Sequence, residues 1–395
     1  MSKNVVIASA CRTPIGKFQG TLTSFTAPQL GAHVIGDAIK RAGITPDDID
    51  ETIMGCVLTA GVGQAPARQA ARAAGIPDHT SAITINKVCG SGLKSVILGA
   101  QAIKCDDANV IVAGGMESMT NAPYYLPQAR AGMRLGHTKA VDGMIADGLW
   151  DPYYDMHMGM TAEAVCQEYN VDREAQDAWA AESQRRAVEA QKAGKFTDEI
   201  SPIEIKPRKG DPWLFDTDEG PRAEATAEKL AKLKPAFDRK NGSVTAGNAS
   251  TINDGASALV VMGEDTASAK GVAPLARITG YATGGTDPKW VMMAPVEAVK
   301  NLEKRTGLAV GGFDLIELNE AFASQCCAVS KIWDVGADRI NVNGGGIALG
   351  HPIGASGARI LTTLIYALKD RGLKNGLATL CLGGGGAVAV SVEVL

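Results

Sequence analysis

The stretch Thr26-Ala-Pro-Gln-Leu30, followed by Ile39-Lys-Arg-Ala-Gly-Ile44 and then Asp50, returns near the other end of the chain as Met293-Ala-Pro-Val-Glu297, Glu303-Lys-Arg-Thr-Gly-Leu308 and Asp314. The offset is 267 at Ala27/Ala294 and 264 at Gly43/Gly307 and Asp50/Asp314, so one three-residue deletion keeps the register. Further on, Cys89-Gly-Ser-Gly92 before a helical pattern faces His351-Pro-Ile-Gly-Ala-Ser-Gly357, an offset of 262 at Cys89/His351. Asn109-Val-Ile-Val-Ala-Gly-Gly115 then faces the strand-like run from Gly376 to Gly384. An order-preserving match over about a hundred residues points to two copies of one αβ unit. Copies related by a pseudo-twofold bring equivalent loops together, so the Cys89 turn is expected beside the His351 turn.

Each copy alternates strand and helix, which predicts mainly parallel strands with helices on both faces. In the first copy the expected elements are a strand at Val5 to Ala10, a helix at Ala27 to Ala42 and a strand at Thr52 to Val57. A helix near Gln64 to Ala74, a strand at Ala82 to Ile85, a helix at Leu93 to Lys104 and a strand at Asn109 to Ala113 follow. Between the copies the composition changes. Thr120 to Trp150 is rich in Gly, Pro, Tyr and Met without a period and reads as an extended loop. Thr161 to Tyr169 and Asp172 to Ala193 read as helices, the second capped by Asp172, stopped by Gly194 and packing through Ala178, Ala181, Ser183, Gln184 and Val188. Residues 201–240 are Pro-punctuated and locally basic, with enough interspersed Asp and Glu to read mostly as solvated surface. The strand Ala258 to Met262 then completes the first unit. The expected division is 1–120 with 244–272, an inserted domain at 121–243, and 273–395.

Composition narrows the function. At 395 residues the chain exceeds what one core supports. A formal net charge of −4 without a Lys/Arg block argues against a nucleic-acid surface. No apolar span reaches bilayer length, and the start of the chain carries neither a signal h-region nor an Arg-rich transit segment, so a cytoplasmic location without a membrane partner is expected. Eight cysteines without a C-x-x-C spacing favour reduced thiols over a disulfide framework or a zinc site, so no metal is expected.

Four short stretches carry candidate chemistry. Cys89 lies on a strand-to-helix turn where Gly90 and Gly92 tolerate sharp backbone angles, and the free N–H groups of the helix start favour the thiolate. The alternative is a buried structural cysteine. His351, one of five histidines, sits in a glycine-rich turn opening a helix and is placed to take a thiol proton. Cys381, in Leu380-Cys-Leu-Gly-Gly-Gly-Gly386, is a second thiol at a strand end; packing in a Gly-rich hairpin is its alternative. Asn319, in Leu318-Asn-Glu-Ala-Phe-Ala323, has an amide able to hold a water or donate to an oxyanion. A Cys-His hydrolase leaves Cys381 without a task. Carbon–carbon bond chemistry through an acyl-enzyme uses a nucleophile and a separate base for an α-carbon, and a thiolate serves as either.

Taken in order, Asn86-Lys-Val-Cys-Gly-Ser-Gly92, Gly114-Gly-Met-Glu-Ser-Met119, Asn248-Ala-Ser250, Asn253-Asp-Gly-Ala256, Asn319-Glu-Ala-Phe-Ala323, Gly346-Ile-Ala-Leu-Gly-His-Pro-Ile-Gly-Ala-Ser-Gly357 and Cys381-Leu-Gly-Gly-Gly385 resemble the thiolase family across essentially the whole chain. The resemblance implies a five-layered αβαβα fold of two like domains with a loop domain inserted in the first. It implies that Cys89 takes an acyl group with His351 as activating base, and that Cys381 removes a proton from the α-carbon of a second acetyl-CoA. Asn319, through a water, and His351 Nε2 would form one oxyanion hole, the N–H groups of Cys89 and Gly383 the other. Fixed donors of this kind contribute roughly 3 kcal/mol each.

By the same resemblance the insertion is the coenzyme A site. Arg222 is similar to the family's nucleotide-side contact, and Met158, Phe237, Ala246, Gly247, Ser250, Ala321 and Phe322 to tunnel-lining positions. Lys229 and Val291 depart from the short-chain members, which usually carry Ser and Met there. His157-Met-Gly159 and the loop from Asn121 to Ile145 resemble the biosynthetic branch, which acts on acetyl-CoA, acetoacetyl-CoA and CoA as substrates, uses no cofactor and forms a homotetramer. A degradative thiolase of broader chain length and a non-catalytic acyl-CoA-binding relative are the alternatives; the second predicts loss at Cys89, His351, Asn319 or Cys381, and none is lost.

Overall fold

The computed structural model describes residues 3–395. The first half runs β1 (Val5–Arg12), α1 (Ala27–Arg41), β2 (Glu51–Gly55), α2 (Pro66–Ala73), β3 (Ser81–Ile85), α3 (Ser91–Lys104) and β4 (Val110–Ser118). The insertion follows with α4 (Met158–Glu168) and α5 (Arg173–Lys192), and the half closes with β5 (Asn253–Gly263). The second half runs β6 (Ala276–Gly285), α6 (Ala294–Thr306), β7 (Leu315–Leu318), α7 (Ala323–Trp333), α8 (Ser356–Asp370), β8 (Asn375–Leu382) and β9 (Gly386–Val394). The strands lie in the order β7-β8-β9-β6-β1-β5-β4-β2-β3. Within the sheet the two halves pair through Val6 and Ile7 of β1 opposite Arg277 and Ala276 of β6.

Alternation along the strands sorts side chains into layers. On β1, Val5 and Ile7 face a core shared with α3 and α8, whereas Val6 and Ala8 face α1 and α2. In the second half Leu380, Val388 and Val390 face the same central helices, whereas Ile316, Leu377 and Ala389 face α6 and α7. The result is helix, sheet, helix, sheet, helix, the five layers that the family resemblance implies. The expectation of mainly parallel strands is corrected: β2 with β3, β2 with β4, and β7 with β8 are parallel, while the five remaining pairings are antiparallel. In each half a late strand, β5 or β9, returns against its neighbours and reverses the local direction.

The duplication is visible in matched hydrogen bonds. Asp50 Oδ2 accepts the N–H groups of Asn109 and Val110 at 2.7 and 2.9 Å. Asp314 Oδ2 accepts those of Lys374 and Asn375 at 3.1 and 2.7 Å. Gly43 and Gly307, just beyond α1 and α6, take left-handed φ values of 69° and 75° that glycine adopts without steric penalty. At the molecular centre a Cβ on Gly92 would lie 2.7 Å from Ala358 N, and one on Gly357 would lie 2.3 Å from Leu93 N. These reciprocal contacts make Gly92 and Gly357 the equivalent pair. The offset of 262 is therefore corrected: the structural counterpart of Cys89 is Gly354, and His351 stands three residues earlier on its turn. The final strand is likewise shifted, since Asn109 corresponds to Lys374 and not to Gly376.

The insertion is pinned to β1 by charge. Buried Arg12 donates to Glu199 at 2.5 Å and to both carboxylate oxygens of Asp218 at 2.7 and 2.9 Å. Asp172 caps α5 through the N–H of Ala175 at 2.7 Å, and Gly194 at φ 69° follows its end. The packing face of α5 is rotated from the expected one: Ala178 is exposed, and Gln176, Asp177, Ala180, Ser183 and Gln184 are buried. Polar partners make this possible, because Gln176 reaches Ser243 Oγ and Asp177 accepts from Asn248 Nδ2. The 120–150 region forms a short hairpin, Tyr124–Tyr125 against Val141–Asp142, with residues 126–140 exposed. No helix among the described residues is long and apolar enough to cross a membrane.

Candidate active site

The turn from β3 into α3 is built by its own polar groups. Asn86 Oδ1 accepts the N–H of Val88 at 2.9 Å, and Ser91 Oγ accepts that of Lys87 at 2.8 Å while donating to Val88 O at 2.6 Å. The strained residue is Val88, at φ 46°, a conformation a β-branched side chain seldom adopts. The flanking glycines have another purpose. Gly90 has φ −86°, and its absent Cβ leaves room for Leu382, which a side chain there would meet at 2.1 Å. Cys89 is half-buried, and burial pushes its thiol up to about 12, opposed by the N–H groups of Gly383 and of Cys89 itself, which face the sulfur. The expected thiolate is thus corrected to a resting thiol. Desolvation outweighs the helix start.

His351 is buried in the facing turn. Its N–H donates to Asn253 Oδ1 at 3.0 Å, and Nδ1 lies 2.6 Å from Ser356 Oγ. Burial, reinforced by the nearby Arg359 guanidinium, lowers its pKa to about 3, so the resting ring is neutral. Glu117 fastens this turn to the other half: the buried carboxylate accepts the N–H groups of Gly354, Val57 and Leu58 at 2.8, 3.0 and 3.1 Å. Burial nevertheless raises it to about 7, against the opposing pull of those donors.

Cys381 ends β8 with its sulfur 3.9 Å from Met292 Sδ, and burial, followed by the neighbouring Cys89, raises its pKa. Asn319 is 1 % exposed, with Nδ2 3.5 Å from His351 Nδ1 and Oδ1 without a partner. It stands behind His351 and does not line the cavity.

One cavity of about 270 Å³ is lined by Cys89, His351, Cys381 and Gly383 together, which places the two turns in a common space as the duplication predicts. Its walls include His157, Met158, Phe237, Ser250, Ala321 and Phe322 from the expected substrate residues. His157 stacks on Phe237 at 4.7 Å between centroids, and Phe322 meets Phe237 edge-on at 6.1 Å. Arg222 lies outside, on a surface hollow with Ala178, Arg185 and Thr226. Ala246 and Gly247 are also absent from the wall; a Cβ on Gly247 would meet Leu233 and Leu230 instead. Sequence reasoning overlooked Met119, Leu149, Met292 and Ile353, which close the apolar end. Met119 ends the Gly114-Gly-Met-Glu-Ser-Met119 motif and Ile353 follows His351 within the Gly346 to Gly357 stretch, the two available signals. Among the described residues no group of three or more His, Cys, Asp or Glu is arranged to hold a metal ion.

The thiolase N-terminal domain family matches residues 5–265, and the thiolase C-terminal domain family matches residues 272–394. The chain belongs to the thiolase family. Among similar thiolases, acetyl-CoA acetyltransferase of Pseudomonas aeruginosa is 55 % identical over 390 residues, covering 99 % of each chain. The protein of that name from Allochromatium vinosum is 53 % identical over the full length of both. The crystal structure of the Bacillus anthracis acetyl-CoA acetyltransferase superposes with a TM-score of 0.97 at 46 % identity, covering 100 % of this thiolase and 99 % of that chain.

Proposed function

We propose that this thiolase is an acetyl-CoA C-acetyltransferase, joining two acetyl-CoA into acetoacetyl-CoA and CoA and catalysing the reverse cleavage. The observation that carries the reading is one cavity lined by two thiols, a neutral imidazole and Gly383, whose backbone N–H is directed at the first thiol. In the first half-reaction the Cys89 proton passes to His351 Nε2 and the sulfur attacks the acetyl carbonyl. The N–H groups of Cys89 and Gly383 stabilise the tetrahedral oxyanion. CoA departs with the proton of Cys381, leaving acetyl-Cys89, a protonated His351 and a Cys381 thiolate. In the second, Cys381 takes a proton from the methyl of another acetyl-CoA. The enolate oxygen is held by His351 Nε2 and a water on Asn319, whose unpartnered Oδ1 supports that role. The enolate carbon then attacks acetyl-Cys89, acetoacetyl-CoA is released, and the expelled Cys89 thiolate recovers its proton from His351 Nε2.

The proposal keeps residues 121–243 as the CoA-binding and oligomer-forming domain, with 1–120 plus 244–272 and 273–395 as the catalytic pair. Arg222 then contacts the nucleotide, with Ala246 and Gly247 outward along the pantetheine arm. It assigns a homotetramer, a cytoplasmic location and no cofactor beyond the CoA thioesters. The assembly is supported by the half-exposed β3, which ends the sheet with one free edge, and by exposed Leu126, Met133 and Leu135 in the 121–145 loop. Thiolysis of 3-ketoacyl-CoAs of increasing length tests the substrate assignment. Acetoacetyl-CoA should be cleaved best, because the bulky side chains of Met158, Met119 and Ile353 stand in the cavity wall. Equal or faster cleavage of long-chain substrates would replace this reading with the broader-chain one.

A further inference from the structure

Glu320 follows Asn319 on the corner between β7 and α7, is buried, and takes no part in the wall of the cavity that holds Cys89. Four neutral donors meet its carboxylate. Oε1 accepts Trp179 Nε1 and Asn341 Nδ2 at 3.0 Å each, and Oε2 accepts Ser183 Oγ at 2.6 Å and the N–H of Ile347 at 3.2 Å. A carboxylate offers about four acceptor positions, so this one is saturated by the protein itself and acts as a fastening. The donors come from three segments: Trp179 and Ser183 from α5 of the insertion, Asn341 from the loop after α7, and Ile347 from the single helical turn Gly346–Leu349 that leads into His351. We propose that Glu320 is a positioning residue, fixing both the Asn319 corner and the turn that delivers His351 on one anchor, helix α5.

Each segment is tied a second time. Ser183 Oγ, while donating to Glu320, accepts the N–H of Gly345 at 3.0 Å. Gln184, next on α5, donates to Ile347 O at 3.2 Å and accepts the N–H of Arg222 at 2.7 Å, so Ile347 is held at both its N–H and its carbonyl. Asn341 accepts the N–H of Leu318 at 2.9 Å and donates to its carbonyl at 2.8 Å, which fixes the end of β7 just before Asn319. A Cβ on Gly345 would lie 2.4 Å from the Glu320 carboxyl carbon, and one on Gly346 would lie 3.4 Å from Asn319 Oδ1, so the turn rests directly on both side chains. Asn319 Nδ2 and His351 Nδ1 stand 3.5 Å apart, at the limit of a hydrogen bond, and a small slip of either backbone changes that spacing. Misplacement of about 1 Å from a site remote from the chemistry costs up to about 10²-fold in rate.

The inference rests on the reaction proposed above, but hydrogen exchange reads it on resting protein without acyl-CoA, so the two can fail separately. Glu320→Gln keeps the shape of the side chain while its amide accepts at one oxygen only and turns an NH2 group toward two donors. In that full-length variant, amide exchange in the segment 344–350, followed by mass spectrometry, should quicken about tenfold, the loss of one hydrogen bond. The kcat for thiolysis of acetoacetyl-CoA should fall about 10- to 100-fold with KM within about twofold of wild type, because Glu320 does not line the cavity. Wild-type exchange in a folded Glu320→Gln protein overturns the proposal, as does a changed KM at unaltered kcat. Ser183→Ala, a milder cut at the same anchor, should move exchange and kcat the same way by about threefold, and wild-type values for both there also overturn it. The double variant should lose no more than Glu320→Gln alone; additive losses would mean two independent structural roles and end the proposal.

Discussion

The turn that carries Cys89 and the turn that carries His351 open the two central helices, α3 and α8, and start from the same backbone plan. What separates them is burial. The first is held by local bonds among Asn86, Lys87, Val88 and Ser91, and leaves its sulfur half-buried against the cavity. The second is fixed from outside, by Asn253 and by Glu117 of the opposite half, and its imidazole is 6 % exposed. A repeated frame thus leaves a thiol where access is kept and a neutral imidazole where water is excluded, which suits the proposed nucleophile and base. Both groups rest uncharged, so proton transfer belongs to the reaction and not to the waiting enzyme.

Removing the sulfur should break the comparison most severely. Cys89→Ala is expected to lose acyl-enzyme labelling by acetyl-CoA and turnover by about 10⁴-fold or more, as for other covalent nucleophiles. Persistent labelling, read by mass spectrometry of the intact protein, would remove Cys89 from its role. Cys381→Ala should acylate normally yet condense about 10²- to 10⁴-fold more slowly, the range for a lost general base. If condensation survives, the α-carbon base is elsewhere.

A third test acts on the frame itself. Gly357→Ala inserts a methyl where Leu93 N leaves no room, and should lower stability by about 1–3 kcal/mol through overpacking, measured by denaturant unfolding. Wild-type stability would mean that the helices separate without cost. The smallest effect concerns acid. The folded pKa of His351 lies at about 3, below its ordinary 6.5, so the folded state binds fewer protons than the unfolded and stability falls as pH drops through that interval. By about pH 5 the loss is about 2 kcal/mol. His351→Asn should shrink the difference in unfolding free energy between neutral pH and pH 5 by that amount; an unchanged difference would mean that the ring titrates alike in the folded and unfolded protein.

The sequence made the repeat legible because Gly43/Gly307 and Asp50/Asp314 have backbone tasks that chance does not reproduce. It misaligned the turns because the match was drawn through Cys89 and His351, the reactive residues, when the conformational equivalents are Gly92 and Gly357. Chemistry diverges between copies faster than close contact does. The meeting of the Cys89 and His351 turns followed from the repeat, whereas the place of Cys381 came with the family resemblance. The strain at Val88 did not, since nothing in a valine announces a left-handed backbone. Asn319 was expected at the reacting groups and stands one layer behind. Arg222, Ala246 and Gly247 fall outside the cavity, since a surface path for a nucleotide depends on shape that residue types do not encode. Partnered polar groups also misdirected the reading of α5, where Gln176 and Asp177 turn inward and Ala178 outward.

At the centre of the molecule Gly92 abuts Ala358 while Leu93 abuts Gly357, each contact the mirror of the other under exchange of halves. Such reciprocity is what the axis of a true dimer leaves behind when two identical polypeptides are fused into one gene. Before fusion every substitution was made twice, once on each side of the axis. Afterwards a change on one side no longer had to suit the other, and a single ancestral corner was free to carry a cysteine in one descendant and a histidine in its twin.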